Sequence, residues 1–263
     1  MLPNLQTLTQ KIRDIAREEI LPRFKHVGFA IKQDGSLLTE ADLATNRRIA
    51  TFLAQHWPEI AFLSEEMECE EQERLLREAD ALWCLDPLDG TSNFAAGIPL
   101  FAVSLALFQR GEVVLALTYD PVRDEMFTAQ RGQGAWLNGQ PLRCQPSEFQ
   151  LCNAVAIVDF KRLSSALKQA LMTSPPYGSQ RNLGSCVLEW AWMAANRGHL
   201  YLHGGMKLWD LAAGSLILTE AGGYATTLQG EPVFVAALAP RSVVISPDPV
   251  LFATWLGYLQ AQQ

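Results

Sequence analysis

Leu5, Leu8, Ile12, Ile15, Ala16 and Ile20 recur at steps of three and four. That spacing predicts an opening amphipathic helix, stopped near Pro22. The stretch KQDGSLLTEAD reads as a turn-rich approach to a second helix. Thr39 followed by Asp42 resembles a capping box, and the helix is expected to run until Pro58. AFLSEE predicts a short strand ending in acids, and residues 70 to 80 a charged, solvated helix. From ALWCLD onward strands dominate. FAVSLALFQRGEVVLALTYD gives two strands joined at Arg110-Gly111, DEMFTAQ and GAWLNGQPLRC follow, and Asn138-Gly139 is a two-residue hairpin turn.

Gln145-Pro146-Ser147 is the expected boundary, dividing the chain into 1–145 and 146–263. Beyond it strand and helix patterns alternate: NAVAIV, a helix from about Leu163 to Leu171, another around 185 to 196, HLYLH, a helix from Leu211 to Ala221, RSVVIS, and a last helix from Pro249. An antiparallel-rich first half and an α/β second half predict layered sheets and helices. The chain contains no internal repeat and no low-complexity segment.

With 263 residues, 49% hydrophobic and 19% charged, the composition is that of a soluble globular protein with a sizeable core. The formal net charge of −7 argues against a nucleic-acid or anionic-membrane partner, whose phosphates it would repel. The five cysteines, Cys69, Cys84, Cys144, Cys152 and Cys186, are scattered and form no C-x-x-C, which fits free thiols in a reducing compartment. Charges begin at Lys11, no apolar segment resembles a signal peptide, and no apolar run is long enough to span a bilayer. The expected location is the cytoplasm.

Asp86 and Asp89 sit where an apolar strand empties into a loop, in WCLDPLDGTSNFAAG. Pro87 fixes its own backbone and Gly90 permits a sharp turn, so both carboxylates can be aimed at one point. Two carboxylates about 4 Å apart repel by about 4 kcal/mol at an effective dielectric of 20. They must share a proton, be well solvated or hold a cation, and oxygen-only ligands suit a hard ion such as Mg²⁺. An ordinary turn also accounts for Asp and Gly here. The residues that follow, Gly90, Thr91, Ser92 and Asn93, offer successive backbone N–H groups and two hydroxyls, a combination suited to phosphate.

DPLDGTSNF resembles the D-P-[IL]-D-G-T-x-N-F signature of the inositol monophosphatases, the magnesium-dependent, lithium-sensitive sugar-phosphatase superfamily. Its fixed positions match by chance on the order of once in 10⁹ starts. DGSLLTEAD is similar to the family's N-terminal D-x-S-x-x-T-x-A-D, LSEE to its G-E-E, and KLWDLAAGSLILTEAGG to its second signature, W-D-x-A-A-G-x-x-x-x-x-E-A-G-G. The resemblance implies a layered α-β-α-β-α sandwich of the sugar-phosphatase fold.

It also implies roles. Glu65, Asp86, Asp89, Asp210 and the backbone carbonyl of Leu88 would bind two or three Mg²⁺ ions, with Glu66 a nearby acid outside that set. Asp42 and Thr91 would orient and deprotonate the attacking water, with Glu65 also at the catalytic centre. Gly90, Thr91 and Ser92 would bind the phosphate. Taken alone, Asp42 reads equally as the acidic arm of the capping box, and Asp210 as an N-cap of the helix from Leu211 that Gly222 ends.

The family's substrate wall resembles RNLGSC here, which implies that Arg181, Gly184, Ser185 and Cys186 line the pocket; a plain helix start capped by Ser185 is the other reading. Inositol-specific members carry a glutamate seven residues before the second-signature aspartate, where this chain has His203, and a histidine where it has Lys207. That departure argues against carrying inositol preference over. The implied substrate is a small phosphorylated metabolite: an inositol phosphate, another sugar or polyol phosphate, histidinol phosphate or 3′-phosphoadenosine 5′-phosphate. Inhibition by Li⁺ and a homodimer are further implications of the resemblance. His26, His56 and His199 have no motif context and read as structural or exposed; Trp190, Trp192 and Met193 read as core or subunit interface. A reading of another class is a non-catalytic sugar-phosphate sensor or scaffold that keeps the fold.

Overall fold

The computed structural model describes residues 2–25, 28–32, 35 and 37–262. His26, and Asp34 and Ser36 of the turn-rich approach, lie outside the described residues. In chain order the elements are α1 (Leu5–Glu19), β1 (Phe29–Ile31), β2 (Leu37–Thr39), α2 (Glu40–His56), β3 (Ala61–Ser64), α3 (Cys69–Glu78), β4 (Ala81–Asp89) and α4 (Thr91–Ala96). A meander follows: β5 (Ala102–Gln109), β6 (Glu112–Asp120), β7 (Glu125–Gln130), β8 (Gly134–Leu137) and β9 (Gln140–Leu142). The second half holds β10 (Val155–Asp159), α5 (Ser165–Thr173), β11 (Ser179–Arg181), α6 (Cys186–Ala194), β12 (Leu200–Met206), α7 (Leu208–Glu220), β13 (Tyr224–Thr226), β14 (Arg241–Ser246) and α8 (Pro249–Gln260).

Strands β3 to β9 form one sheet in sequence order, parallel only at β3–β4. The second sheet runs β11-β10-β12-β14-β13, with β11, β10 and β12 mutually parallel and the rest antiparallel. The pleat explains the layers, because alternate residues face opposite sides. On β4, Trp83 and Leu85 face α1 and α2, packing with Leu8, Ile12, Ile15, Ile49 and Phe52. Leu82 and Cys84 face the other way, toward α6 and α7. The second sheet presents Tyr201, Val243 and Ile245 to that same inner layer, and Leu200, Leu202 and Val244 to the outer helices α5 and α8. The result is an α-β-α-β-α sandwich.

The segment 1–145 carries the larger sheet and 146–263 the smaller, and one apolar cluster around α6 and α7 joins both. Helix α7 is apolar on nearly every side because both sheets cover it, so its sequence shows no amphipathic stripe. It begins at Leu208, three residues before the expected start, since Leu208 and Trp209 are themselves buried. Asp210 is therefore a first-turn residue and not the N-cap. The short strands β1, β2, β11 and β13 carry no pattern that periodicity could detect. Among the described residues, no helix is long and apolar enough to cross a membrane.

Gly214 shows how tightly the inner layer is built. A Cβ there would lie 2.4 Å from Trp190 Cγ and 2.5 Å from Trp190 Cβ, and Trp190 is fully buried. Alanine in a helix interior gains about 1 kcal/mol over glycine, but overpacking against a fixed indole costs about 1–3 kcal/mol, typically more than that gain. Gly214→Ala is expected to cost up to about 2 kcal/mol of stability, seen as a lower midpoint of urea denaturation; a higher midpoint would show the two helices free to separate.

Candidate active site

Three elements bring the acids together. Strand β4 pairs regularly with β5 up to Asp86, then the register shifts before Asp89. Pro87 lacks the N–H that a regular ladder needs, so the strand bulges there. Asp86 keeps the face of Leu82 and Cys84 and points into the inner layer. Helix α7 delivers Asp210 to the same place from the other half of the chain. Asp86, Asp89 and Asp210 each present a carboxylate oxygen within 4.8 Å of the others.

Each carboxylate is held by donors that leave another lone pair free. Asp86 Oδ1 accepts the Leu88 N–H at 3.0 Å. Asp89 Oδ2 accepts the Ser185 hydroxyl and the Val187 N–H, the latter at 2.9 Å. Asp210 Oδ2 accepts the Lys207 N–H at 2.9 Å. Burial, reinforced by Glu65 and the other aspartates, pushes the Asp86 carboxyl well above the usual range. Burial lifts Asp89 to about 7, against the pull of Ser185 and Val187, and lifts Asp210 to about 8. At 4.8 Å or less and an effective dielectric of 20, each ionised pair repels by roughly 3.5 kcal/mol or more, and the three pairs by about 10 kcal/mol. That is comparable to the whole stability of a domain, about 5–15 kcal/mol. An all-oxygen donor set of this charge fits a hard divalent cation.

Asp42 is both things its sequence allowed. Its Oδ2 accepts the Thr39 N–H at 2.8 Å and the Thr39 hydroxyl, completing the capping box of α2. Its Oδ1 lies 3.2 Å from Thr91 Oγ1, which is also 3.0 Å from the Leu88 carbonyl. Burial raises the Asp42 carboxyl above its ordinary value, with the Thr39 bonds opposing. Glu65 lines the cleft but stands outside the group of three: its Oε1 is 3.1 Å from Lys32 Nζ, which also reaches Glu66 at 2.8 Å.

Gly90 turns the chain with φ of 86°, and a Cβ there would meet the Leu100 carbonyl at 2.8 Å, so only glycine fits. Gly90, Thr91 and Ser92 line the cleft, whose volume is about 210 Å³. Asn93 braces the turn by donating to the carbonyls of Leu100 and Leu183, both at 2.8 Å.

The expected substrate wall is only partly there. Gly184, Cys186 and His203 line the cleft. Ser185 lies buried behind it, capping α6 through Leu188 N–H while donating to Asp89. Arg181 does not reach the cleft: it ends the edge strand β11, is exposed, and folds its guanidinium onto Ser179 Oγ and the Gln180 carbonyl at 2.8 Å each. Instead Asp159, Lys161, Arg162, Glu189 and Trp209 contribute, none of which the sequence reading singled out. Lys161 and Arg162 directly follow the apolar run of β10, and the carboxyl end of a parallel strand is where such folds bind ligands; that was the available signal. Burial drives His203 down to about 4. His56 and His199 are structural, bonded to Phe52 O and the Val155 N–H, while Trp190 and Met193 are core.

Three acids whose grouping fits a hard cation stand beside a glycine turn, and the protein's class is phosphoric monoester hydrolase. The chain belongs to the inositol monophosphatase family, whose sequence profile matches residues 4–262. It is 33% identical over 223 residues to "Nus factor SuhB" of Pasteurella multocida, covering 81% of this chain and 82% of that one. It is 34% identical over 206 residues to the inositol-1-monophosphatase of Mesorhizobium japonicum, 76% of each. A solved IMPase/NADP phosphatase complexed with Mg²⁺ and phosphate superposes with a TM-score of 0.82 at 25% identity, over 98% of this chain and 94% of that one.

Without a divalent cation, Asp89 and Asp210 keep their protons in the folded state to about pH 7 and 8, but release them near 3.8 when unfolded. The fold therefore loses stability as pH rises through that interval. His203 acts oppositely: its folded value near 4 lies below 6.5, so its contribution grows with pH up to 6.5 and then stays constant. Glu189, raised by burial from 4.5 to about 7, adds a loss in the same sense as the aspartates. In EDTA, Tm is expected to fall from pH 6.5 to about 8, and excess Mg²⁺ to remove most of that fall, leaving the Glu189 share. A Tm that is flat in EDTA, or a fall that Mg²⁺ leaves untouched, would contradict the shared site.

Proposed function

We propose that the protein hydrolyses a small sugar or polyol phosphate monoester by attack of water, with magnesium as its resident ion. The convergence of Asp86, Asp89 and Asp210 from both halves of the chain carries this reading. Those carboxylates, Glu65 and the Leu88 carbonyl would hold Mg²⁺, which when bound offsets the ester's charge and makes a water more acidic. Gly90, Thr91 and Ser92 line the cleft, where their N–H groups and the Ser92 hydroxyl would receive the phosphoryl oxygens. The Thr91 hydroxyl takes up the proton of the attacking water and passes its own to Asp42 Oδ1, 3.2 Å away. Thr39 keeps Asp42 oriented for this, and burial makes Asp42 a stronger base than an exposed carboxylate. Glu66 and Lys32 keep Glu65 in place beside the cleft. The halves 1–145 and 146–263 act as one unit because the acids come from both.

The replacement of an inositol-binding glutamate by His203 favours a substrate other than inositol phosphate. Li⁺ inhibition, a homodimer in the cytoplasm and a complement of two or three ions follow from the family resemblance. A second reading, a factor acting by association, is favoured by relatives that bear the name Nus factor.

Phosphate release from a panel of monoesters, with and without Mg²⁺ and Li⁺, tests the proposal. Asp86→Asn is expected to lower kcat on the order of 10²-fold or more with the far-UV spectrum unchanged. Asp42→Asn is expected to lower kcat about 10²–10⁴-fold while Mg²⁺ still binds. Turnover at the normal rate by Asp86→Asn would refute the assignment, and silence of the wild type on every ester would favour the association reading.

A further inference from the structure

Three cations stand on the wall that the second half of the chain contributes to the cleft: Lys161, Arg162 and Lys207. In a chain of net charge −7 that is a local concentration of positive charge, set opposite the acids of β4. They come from the loop after β10 and the end of β12, whereas the phosphate turn comes from β4 and α4. One anion already has its seat, so the second cluster needs its own explanation.

The cluster is built and not merely solvated. Arg162 Nη1 donates to the Gly205 carbonyl at 2.6 Å. A Cβ at Gly204 would lie 2.2 Å from the Arg162 carbonyl oxygen, so the loop is pressed onto β12 where only glycine admits it. The Lys161 N–H donates to Asp159 Oδ1 at 2.6 Å, closing a turn that sets both basic residues at the strand end. Lys168 Nζ, 3.3 Å from the Lys161 carbonyl, adds charge behind them. Among the described residues, neither Lys161 nor Arg162 forms an ion pair within 4.0 Å, and the Arg162 charge reaches Asp210 and His203 across the cleft wall.

The nearby acids do not reverse this sign. Glu189 is buried with its oxygens committed to the N–H groups of Leu183 and Gly184 and to the Tyr201 hydroxyl. His203 Nδ1 accepts the Gly205 N–H at 3.1 Å, so that nitrogen carries no proton and the ring is neutral. Two further carboxylates of this half line the cleft: Asp159, engaged by the Lys161 N–H, and Asp210, which accepts the Lys207 N–H and is grouped with Asp86 and Asp89 at the cation site. The cleft volume of about 210 Å³ is below the ~300–1,000 Å³ of pockets for drug-sized ligands, which suits a compact carbon skeleton.

We propose that the preferred substrate is a small sugar or polyol phosphate bearing a second anionic group, a phosphate or a carboxylate, which Lys161, Arg162 and Lys207 recognise. The inference rests on the phosphatase reading above and deepens it. It disfavours substrates whose far end is cationic, histidinol phosphate among them.

Matched esters test it. Phosphate release is compared for fructose 1-phosphate against fructose 1,6-bisphosphate, and for glucitol 6-phosphate against 6-phosphogluconate. The doubly anionic member of at least one pair is expected to have a kcat/KM about tenfold higher, mostly through KM, with the advantage shrinking as salt rises. Preference in one pair alone tells which anion is read. Lys161→Met, whose side chain is exposed, and Arg162→Met should each cut the preference several-fold, with the singly anionic partner as internal reference. Equal kcat/KM in both pairs, or a preference that survives both substitutions together, would overturn the inference while leaving the phosphatase intact. If no ester is hydrolysed, the phosphatase reading itself has failed. Calorimetric binding of the same pairs then decides the inference separately, tenfold tighter binding of the doubly anionic member supporting it and equal binding overturning it.

Discussion

Carboxylates cannot be crowded together unless a proton, a cation or water offsets their charge, and this molecule crowds three of them, one buried and two half-buried. Ionised together, Asp86, Asp89 and Asp210 would repel one another by an amount comparable to the whole free energy of folding, and burial raises all three carboxyls. The surrounding architecture can be understood as the means of enforcing that proximity. The bulge at Pro87 aims Asp86 inward, and the early start of α7 at Leu208 places Asp210 in the first helical turn. The buried layer of α6 and α7, clamped between two sheets, prevents the acids from retreating. A fold that spends so much apolar contact on holding like charges together stores a strong affinity for a cation.

The supports around the acids share one design: each is fixed by a group that also serves elsewhere. Ser185 caps α6 and donates to Asp89. Asp42 caps α2 and reaches Thr91. Asn93 ties the turn at Gly90 both to its own loop and to the segment before α6. Cap or site is thus a false choice at these positions. A helix terminus already needs a polar side chain with defined orientation, and the same orientation makes that side chain useful to the cleft.

Much of this was legible in the residues. The opening helix, the meander from β5 to β9, the Asn138-Gly139 turn and the capping box at Thr39 all rest on local periodicity or local turn chemistry, and local physics is what a sequence displays. The meeting of Asp89 with Asp210 is not local; family signatures pointed to it, and no spacing could have. The start of α7 was misjudged because a helix covered on all sides has no polar face to mark its register. Arg181 opens the stretch RNLGSC that resembles the family's substrate wall, but β11 is an edge strand and Arg181 is exposed there. Lys161 and Arg162 went unnoticed because a basic pair after a strand looks like any surface loop until the parallel pairing of β10 with β12 shows which end of the sheet it crowns.

The central claim is that one cation site is assembled from both halves of the chain. An anomalous-difference map of crystals grown with Mn²⁺ in place of Mg²⁺ tests it most directly. A peak bonded at about 2.0–2.3 Å to oxygens of Asp86, Asp89 and Asp210 together is the predicted result. A map with no peak at these carboxylates, or with the metal held by residues of one half only, would contradict it.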